Sequence, residues 1–268
     1  MSPTPHFRQQ AELWWQLARR DIATRHKGSY LGPLWMLLGP LLEFTVYVTV
    51  FGLIFRGSYH VGSGETRATY ALGVFLSLTS YRLLADTIGA APSLIVGQPN
   101  YVKKVVFPLH LLPLSHVTAA LYRFGVGLLL FLAAFVILGP GVHATNLLLP
   151  LVLLPLVLMA VGLAWLLSAL GVFLRDIGQV TNVVTLILLY SSAVFYSAGT
   201  VMEKSPLAWS ILRFNPLVHI IESARAVMLW QSTPAFSSLA YAWVAALLIC
   251  GTGFWTFRKL RPSFADVV

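Results

Sequence analysis

The sequence predicts an all-α polytopic membrane protein. We expect six transmembrane helices, an N-terminal amphipathic helix in the membrane interface, and a re-entrant external helical hairpin between spans five and six. Three observations predict this. Apolar residues fill 57% of the 268 positions and charged residues only 10%, against about 25% charged in soluble chains; mean hydropathy is +0.78. The apolar residues form long continuous runs rather than the alternation of a membrane barrel. The basic residues sit mostly between those runs, so the formal charge of +9 reads as topology signals and attraction to an anionic membrane surface, not as nucleic-acid binding.

The chain reads as a single transmembrane domain over residues 1–268. Residues 7–25 come first. Phe7, Ala11, Trp14, Trp15, Ala18 and Ile22 fall on one arc at helical spacing, with Arg8, Glu12, Gln16 and Arg19 off it. Two tryptophans and a basic polar face suit a helix lying in the interface plane. The stretch RRDIATRHKGSYLGPLW (19–35) then joins a charged segment directly to an apolar one. Gly28 and Gly32 permit a sharp bend, and Pro33 starts the next helix where its missing N–H costs nothing.

A bilayer crossing takes roughly 17–25 mainly apolar residues. The segments that qualify are about 34–55, 70–95, 117–138, 147–173, 180–198 and 239–257. With the N-terminus inside, the inner pieces hold Arg8, Arg19, Arg20, Arg25, Lys27, Lys103, Lys104, Arg175, Arg258, Lys259 and Arg261. The outer pieces hold only Arg56, Arg67, Lys204, Arg213 and Arg225. That bias puts both termini in the cytoplasm.

The external stretch 199–238 is not a plain loop. Ser205-Pro206 and Asn215-Pro216 are each a capping residue followed by proline at the first helical position. After Pro216, Leu217, Ile220, Ile221, Ala224, Val227 and Met228 keep helical spacing, with Glu222 and Arg225 on the other face. Helices of about ten and fourteen residues are too short to cross. With Trp209, Phe214 and Trp230 nearby, residues 205–230 read as a hairpin that dips into the outer leaflet and gates a path.

Glu43, Arg82, Asp86 and Arg123 fall in or near spans. A lipid-exposed charge at mid-bilayer costs about 2.5–3.5 kcal/mol or more, so these residues should face protein or water. Arg82 and Asp86 are four apart and suit an ion pair on one helix face; a structural pair and the lining of a polar conduit both remain open. Aromatics are frequent, with Phe44, Tyr47, Phe51 and Phe55 in the first span and Tyr190, Phe195 and Tyr196 in the fifth. Packing against lipid and neighbours explains most such residues, while sliding contacts to sugar rings are the alternative.

Other signals exclude function classes. Cys250 is the only cysteine and lies in an apolar run, so no disulfide framework or cysteine metal site is expected. The seven histidines lack ligand spacing, and no metal is expected. The first residues lack the short apolar core and small-residue cleavage site of a signal peptide, so none is expected. None of the five lysines follows a glycine, so a phosphate-binding GK[ST] loop does not occur. Nor do paired broken half-helices recur, as they do in many ion-coupled carriers. A pump with this sequence takes its energy from another polypeptide. A membrane-embedded glycan-modifying enzyme would show clustered acids or histidines near one surface, and nine scattered acids argue against it.

RDIATRHKGSYLGPLWMLLGPLLEFTVYVTVF (20–51), YVKKVVFPLHLLPL (101–114), FLRDIGQV (173–180), VFYS (194–197) and NPLVHIIESARAVM (215–228) occur in this order. This set resembles the membrane subunits of type-2 ABC exporters for lipid-linked polysaccharide, the permeases of O-antigen, teichoic-acid and capsule export. The opening and the KKVVFPLHLLP segment look closest to the O-antigen and teichoic-acid branch, the NPLVHIIESAR segment also to capsule permeases. At 191–195 this chain reads SSAVF where many relatives carry a Ser-Pro before the hydrophobic-Tyr pair.

The resemblance implies a non-enzymatic transport subunit of the bacterial inner membrane. It forms a homodimer docked to two copies of an ATP-binding subunit, with ATP and magnesium held by that partner and no cofactor in this chain. It implies a coupling helix at 98–109, with Asn100 capping a short helix over 101–106 and Pro108 ending it; Asn100, Tyr101, Lys103 and Lys104 would meet the ATPase. We group Arg175 and Asp176 with them, because Arg175-Asp176-Ile177 echoes Arg20-Asp21-Ile22 at the same membrane face. Phe44, Tyr47, Arg82, Asp86, Tyr190, Phe195 and Tyr196 are the expected substrate path. Arg20, Arg25, Lys27 and Ser29 are expected where lipid headgroup and glycan come in, and Trp209, Asn215, Pro216, Glu222 and Arg225 form the external gate. Export of a capsule polysaccharide, drug or lipid by the same fold is the alternative.

Overall fold

The computed structural model describes residues 4–24, 29–54, 57–59, 65–103 and 107–268, and every regular element among them is helical. Helix α1 spans Thr4–Thr24. One face of it packs on the helical bundle. Leu17 and Ala18 are buried, and the Trp14 indole donates to the Thr118 hydroxyl at 3.0 Å on the third long helix. The face expected from spacing holds at Ala11, Trp14, Ala18 and Ile22, which are buried or half-buried, and departs at one position. Trp15, placed on the apolar arc, is exposed, and Leu17 takes its place in the core because the helix has a protein neighbour to pack on.

A tight turn at Gly32–Leu34, with Gly32 at φ 46, leads into α2, Trp35–Tyr47. The helix then widens into π geometry over Val48–Ile54. Pro40 sits inside α2 and withholds the N–H that the Met36 carbonyl would otherwise receive. Helix α3, Arg67–Ala90, starts at Thr66, whose side chain accepts from the Thr69 N–H. It is the central helix, buried along most of its length. The hydroxyls of Ser77, Ser80 and Thr87 lower its apolar character but bond to the carbonyls one turn back, so they are satisfied inside the bundle. The span expected to reach residue 95 ends at Ala90, since Pro92 follows.

Short helices α4 (Ser93–Val96) and α5 (Pro99–Val102) form the next loop. Helices α6 (Leu111–Leu138) and α7 (Leu149–Phe173) come next, and α7 follows a 3-10 turn over Ala144–Leu148. Helix α8 covers Ile177–Ser191, then α9 Ala198–Lys204, α10 Pro206–Leu212 and α11 Pro216–Met228. Helix α12 is Phe236–Leu260, and the short α13, Phe264–Val267, follows a turn.

Among the described residues, Leu111–Leu138, Ala144–Phe173 and Phe236–Val267 are long and apolar enough to cross a membrane. Trp35–Phe51 and Ile177–Ser191 are shorter apolar helices. The chain is a multi-pass membrane protein. The fifth expected span, 180–198, stops early: α8 ends at Ser191 and Ala193 adopts a left-handed φ of 55°.

The most extensive helix pair is α7 with α12. A Cβ on Gly253 would lie 2.1 Å from the Gly162 carbonyl oxygen, and one on Gly162 would lie 2.6 Å from the Cys250 backbone. Two glycines thus let the backbones touch, as small residues do between apolar helices. One apolar core fills the bundle around α3. A second, with Leu17, Ile95, Val102, Leu112, Val172 and Phe264, closes the end where α1, α5 and α13 meet.

Candidate functional site

A cavity of about 560 Å³ opens among α2, α3 and α6, touching α8 at Leu189. Its apolar lining includes Trp35, Met36, Pro40, Leu78, Phe124 and Leu189. Into it project Glu43, Arg82, Asp86 and Arg123, with the phenols Tyr47 and Tyr81. Each charge belongs to a mainly apolar helix, and the pairs run between helices. Arg82 on α3 bonds Glu43 on α2. Arg123 Nε on α6 donates to Asp86 Oδ2 on α3 at 3.0 Å.

The sequence suggested that Arg82 and Asp86 pair along one face of α3. In the fold, these two instead join that face to the helices on either side. A spacing of four residues fixes which face they share, but the stronger partners come from neighbours that only packing brings near. Glu43 lies eight residues into α2, about 12 Å along its axis. Four charges of zero net sign keep the cavity polar without making it an anion or cation trap, and two oppositely charged groups on each boundary offset the burial cost of the other.

Of the expected path residues, Tyr47, Arg82 and Asp86 line this cavity and the others do not. Phe44 stacks on Phe75 with centroids 4.5 Å apart. Tyr47 meets Phe195 at 5.1 Å, Phe51 stacks on Phe195 at 4.2 Å, and Tyr190 lies 6.3 Å from Phe195. The Tyr196 hydroxyl donates to the Tyr190 carbonyl at 2.5 Å. Phe195 is buried, so it is the hub of an aromatic cluster joining the π turn after α2 to the end of α8; Tyr190 is exposed. Spacing alone missed Glu43 and Arg123 as a linked set with Arg82 and Asp86, although all four carry the same signal of charge within an apolar run.

The chain after α8 runs without regular structure over residues 192–197. Its carbonyls are met one by one. Asn215 Nδ2 reaches the Ser191 carbonyl and the Ser192 hydroxyl. Tyr59 donates to the Val194 carbonyl at 3.0 Å, Tyr70 to that of Phe195 at 3.1 Å, and Arg225 Nη1 to that of Tyr196 at 3.2 Å. Irregular backbone at membrane depth persists only when protein satisfies it, and long side chains from three elements do so here. Tyr59 and Tyr70 were not singled out from the sequence, because nothing in their spacing shows a carbonyl waiting across the fold.

At the expected gate, Asn215 caps α11 by accepting from the Leu217 N–H, with Pro216 at the first helical position. Pro206 likewise opens α10, but Ser205 makes no side-chain cap bond. Leu217, Ile220, Ile221, Ala224, Val227 and Met228 are all buried as the spacing predicts. Arg225, expected on the polar face, is fully buried. It pairs with Glu222 at 2.7 Å, and Glu222 also accepts from the Ala198 N–H at 2.5 Å. The guanidinium lies over Tyr59, so the face opposite the apolar stripe carries an interior clamp. Trp209 is half-buried on α10.

At the opposite end, α5 begins at Pro99 with Gln98 at the capping position. Asn100 is inside the turn and does not cap it, because proline at the first helical position moves the start one residue earlier. Tyr101 stacks on Phe107 with centroids 4.4 Å apart, and Arg20 Nη1 donates to its hydroxyl at 3.2 Å. Lys103 is exposed at the end of α5, and Arg175 and Asp176 are exposed between α7 and α8. The Ser29 hydroxyl accepts from the Trp35 indole at 2.9 Å. Arg25, Lys27 and Lys104 lie outside the described residues.

Asp21, next to Arg20, contacts His116 Nδ1 at 3.1 Å. Partial burial pushes the Asp21 carboxyl up, but the His116 hydrogen bond and the charges of His116, Arg123 and Arg20 outweigh it, and its pKa falls below the ordinary value.

The profile of the family described as "ABC-2 type transporter" matches residues 12–229, from within α1 to just past the end of α11. A protein of Myxococcus xanthus named "O-antigen export system permease protein RfbA" is 26% identical over 253 residues, 94% of each chain. A protein of the same name from Klebsiella pneumoniae is 24% identical over 258 residues, 94% of this chain and 93% of the relative. A second from Klebsiella pneumoniae is 22% identical over 253 residues. A family match across most of the described helices, on a helical membrane fold with a charged cavity, makes this chain a member of the ABC-2 type transporter family.

Proposed function

We propose that this chain is the permease subunit of an ATP-driven exporter that moves a lipid-linked polysaccharide, O-antigen-like or teichoic-acid-like, to the outer face of the bacterial inner membrane. The observation that carries the reading is the charge-neutral, aromatic-edged cavity of about 560 Å³, set in a chain that aligns over 94% of its length with permeases named for O-antigen export. Hydroxyl-rich chains suit such walls, since paired guanidinium and carboxylate groups offer donors and acceptors together while aromatic faces allow sliding.

In this reading α2, α3, α6, α7, α8 and α12 are the six spans, and both termini are cytoplasmic. Helices α10 and α11 form the re-entrant hairpin that gates the exit, with Trp209, Asn215, Pro216, Glu222 and Arg225 holding it. Two copies of the chain make the conduit, and each docks one ATP-binding subunit through α5 and the residues around it, including Tyr101, Lys103 and Lys104. ATP and magnesium belong to that partner. Closure of the ATPase pair on ATP pushes α5, tilts the spans, and the glycan passes Tyr47, Arg82 and Asp86 toward Tyr190 and Tyr196. No bond is made or broken in this chain.

The experiment is deletion of this chain and return of it in trans. Loss of surface glycan with lipid-linked glycan retained inside supports the reading. Unchanged surface glycan, together with no ATP-dependent transfer in proteoliposomes carrying the chain and its ATPase, overturns it.

A further inference from the structure

His116 is a buried ring that none of the preceding roles uses. Its Nδ1 faces Asp21 Oδ2 on α1 at 3.1 Å, and its Nε2 faces the backbone carbonyl of Asp86 on α3 at 3.4 Å. Its two nitrogens thus each face an acceptor, one on α1 and one on α3. Each neighbour leads further. Arg20, adjacent to Asp21, bonds the Tyr101 hydroxyl on α5. The Asp86 side chain holds Arg123 in the wall of the cavity. Through His116, α5 is connected to the charged cavity by polar contacts that are joined through the α1 backbone at Arg20–Asp21 and through Asp86 itself. Trp14, bonded to Thr118, and buried Leu17 and Ala18 keep α1 seated on α6 beside this series.

We propose that His116 is a positioning residue that ties the interface helix to the cavity wall, so that a displacement of α5 reaches the Asp86–Arg123 pair through Arg20, Asp21 and the imidazole. A rigid helix gripped at both of two adjacent residues moves as a unit. Arg20 follows α5, and Asp21 must then shift against the ring. The ring cannot shift without changing its distance to the Asp86 carbonyl, and Asp86 carries the cavity's ion pair on the same residue. This is a two-ended contact rather than a packing contact, and hydrogen bonds linked through a rigid helix are a physical route for coupling.

The inference rests on the transport reading but not on the identity of the cargo. The test uses the full chain with its cognate ATP-binding subunit in proteoliposomes. Cys250→Ala removes the native thiol, and Ala85→Cys puts one in the cavity lining. Labelling by a polar, membrane-impermeant maleimide is then compared with and without ATP and vanadate. In this background, nucleotide should change the labelling rate about fivefold. His116→Asn retains a polar group toward Asp21, and His116→Gln retains one toward the Asp86 carbonyl; in both, ATP hydrolysis should continue while the nucleotide effect on labelling disappears. Both variants are close in size to histidine, so they decide the matter even if His116→Ala fails to assemble. A nucleotide effect that persists in both variants, or is absent from the parent, overturns the proposal. A purely structural histidine would lower thermal stability and leave that effect in place. Failure of glycan transfer in the parent would count against the cargo and leave the labelling result standing.

Discussion

The Arg225 guanidinium lies 4.1 Å from the centre of the Tyr59 ring, and both side chains are buried, at 0% and 1% exposure. Tyr59 in turn holds the Val194 carbonyl and Arg225 the Tyr196 carbonyl. One stacked pair therefore pins the irregular segment after α8 from two sides. Arg225→Ala should lower stability by about 3–5 kcal/mol, because it strands the Glu222 carboxylate and frees a carbonyl. Thermal unfolding in detergent reads this. Arg225→Lys should recover only part, since an ammonium cannot keep the Glu222 pair, the Tyr196 carbonyl and the stack together.

Tyr70→Phe removes a single hydroxyl that donates to the Phe195 carbonyl. We expect a loss of about 1–2 kcal/mol, the cost of one buried acceptor left unmet. The backbone amides near residue 195 should also exchange faster with solvent deuterium. Unchanged exchange would mean that the carbonyl has another donor.

Two glycines on α12 give opposite predictions. Gly253→Ala forces a Cβ to within 2.1 Å of the Gly162 carbonyl oxygen, and should destabilise by about 1–3 kcal/mol through displacement of α12 from α7. Gly251→Ala meets nothing within 4 Å, and should be neutral or stabilise by up to about 1 kcal/mol. Melting curves of the two variants side by side check the contrast.

The cavity's charges should matter as pairs. Glu43→Arg and Arg82→Glu, made singly, each put like charges across the α2–α3 boundary, and export should fall about tenfold or more. The double exchange restores the attraction, and should recover much of the activity if the pair shapes the cavity. Export measured as surface glycan decides it. A double exchange no better than either single variant would show that each side chain acts by itself.

How much of this was legible beforehand follows from which forces are local. The long apolar runs of α6, α7 and α12 identify themselves, because a bilayer demands length and hydropathy in one continuous stretch. The Asn215-Pro216 start of α11 and its buried stripe were equally plain, since capping and helical periodicity need only neighbouring residues. Glu43, Arg82, Asp86 and Arg123 announced themselves as charges that could not face lipid. Their partners did not. Arg82 and Asp86 shared a face by spacing, but the helices that supply Glu43 and Arg123 arrive only through packing. Asn100 was misplaced as a cap because Pro99 competes for the start of the turn.

The sequence by itself determined that the chain is helical, that it lives in a membrane, and which residues are too polar to face lipid. Each of these follows from the transfer cost of a residue or from the order of its near neighbours. Only the tertiary structure decided that Leu17 rather than Trp15 faces the bundle, that Arg225 is an interior clamp, and that Tyr59 and Tyr70 complete the backbone after α8. It alone joined Asp21, His116 and Asp86 into one series. Those outcomes depend on contacts between residues far apart along the chain: Tyr59 and Val194 are 135 positions apart, and Tyr59 and Arg225 further still. Hydrogen bonds and ion pairs act over a few ångströms in space, and no periodicity along the chain encodes which distant group will stand there.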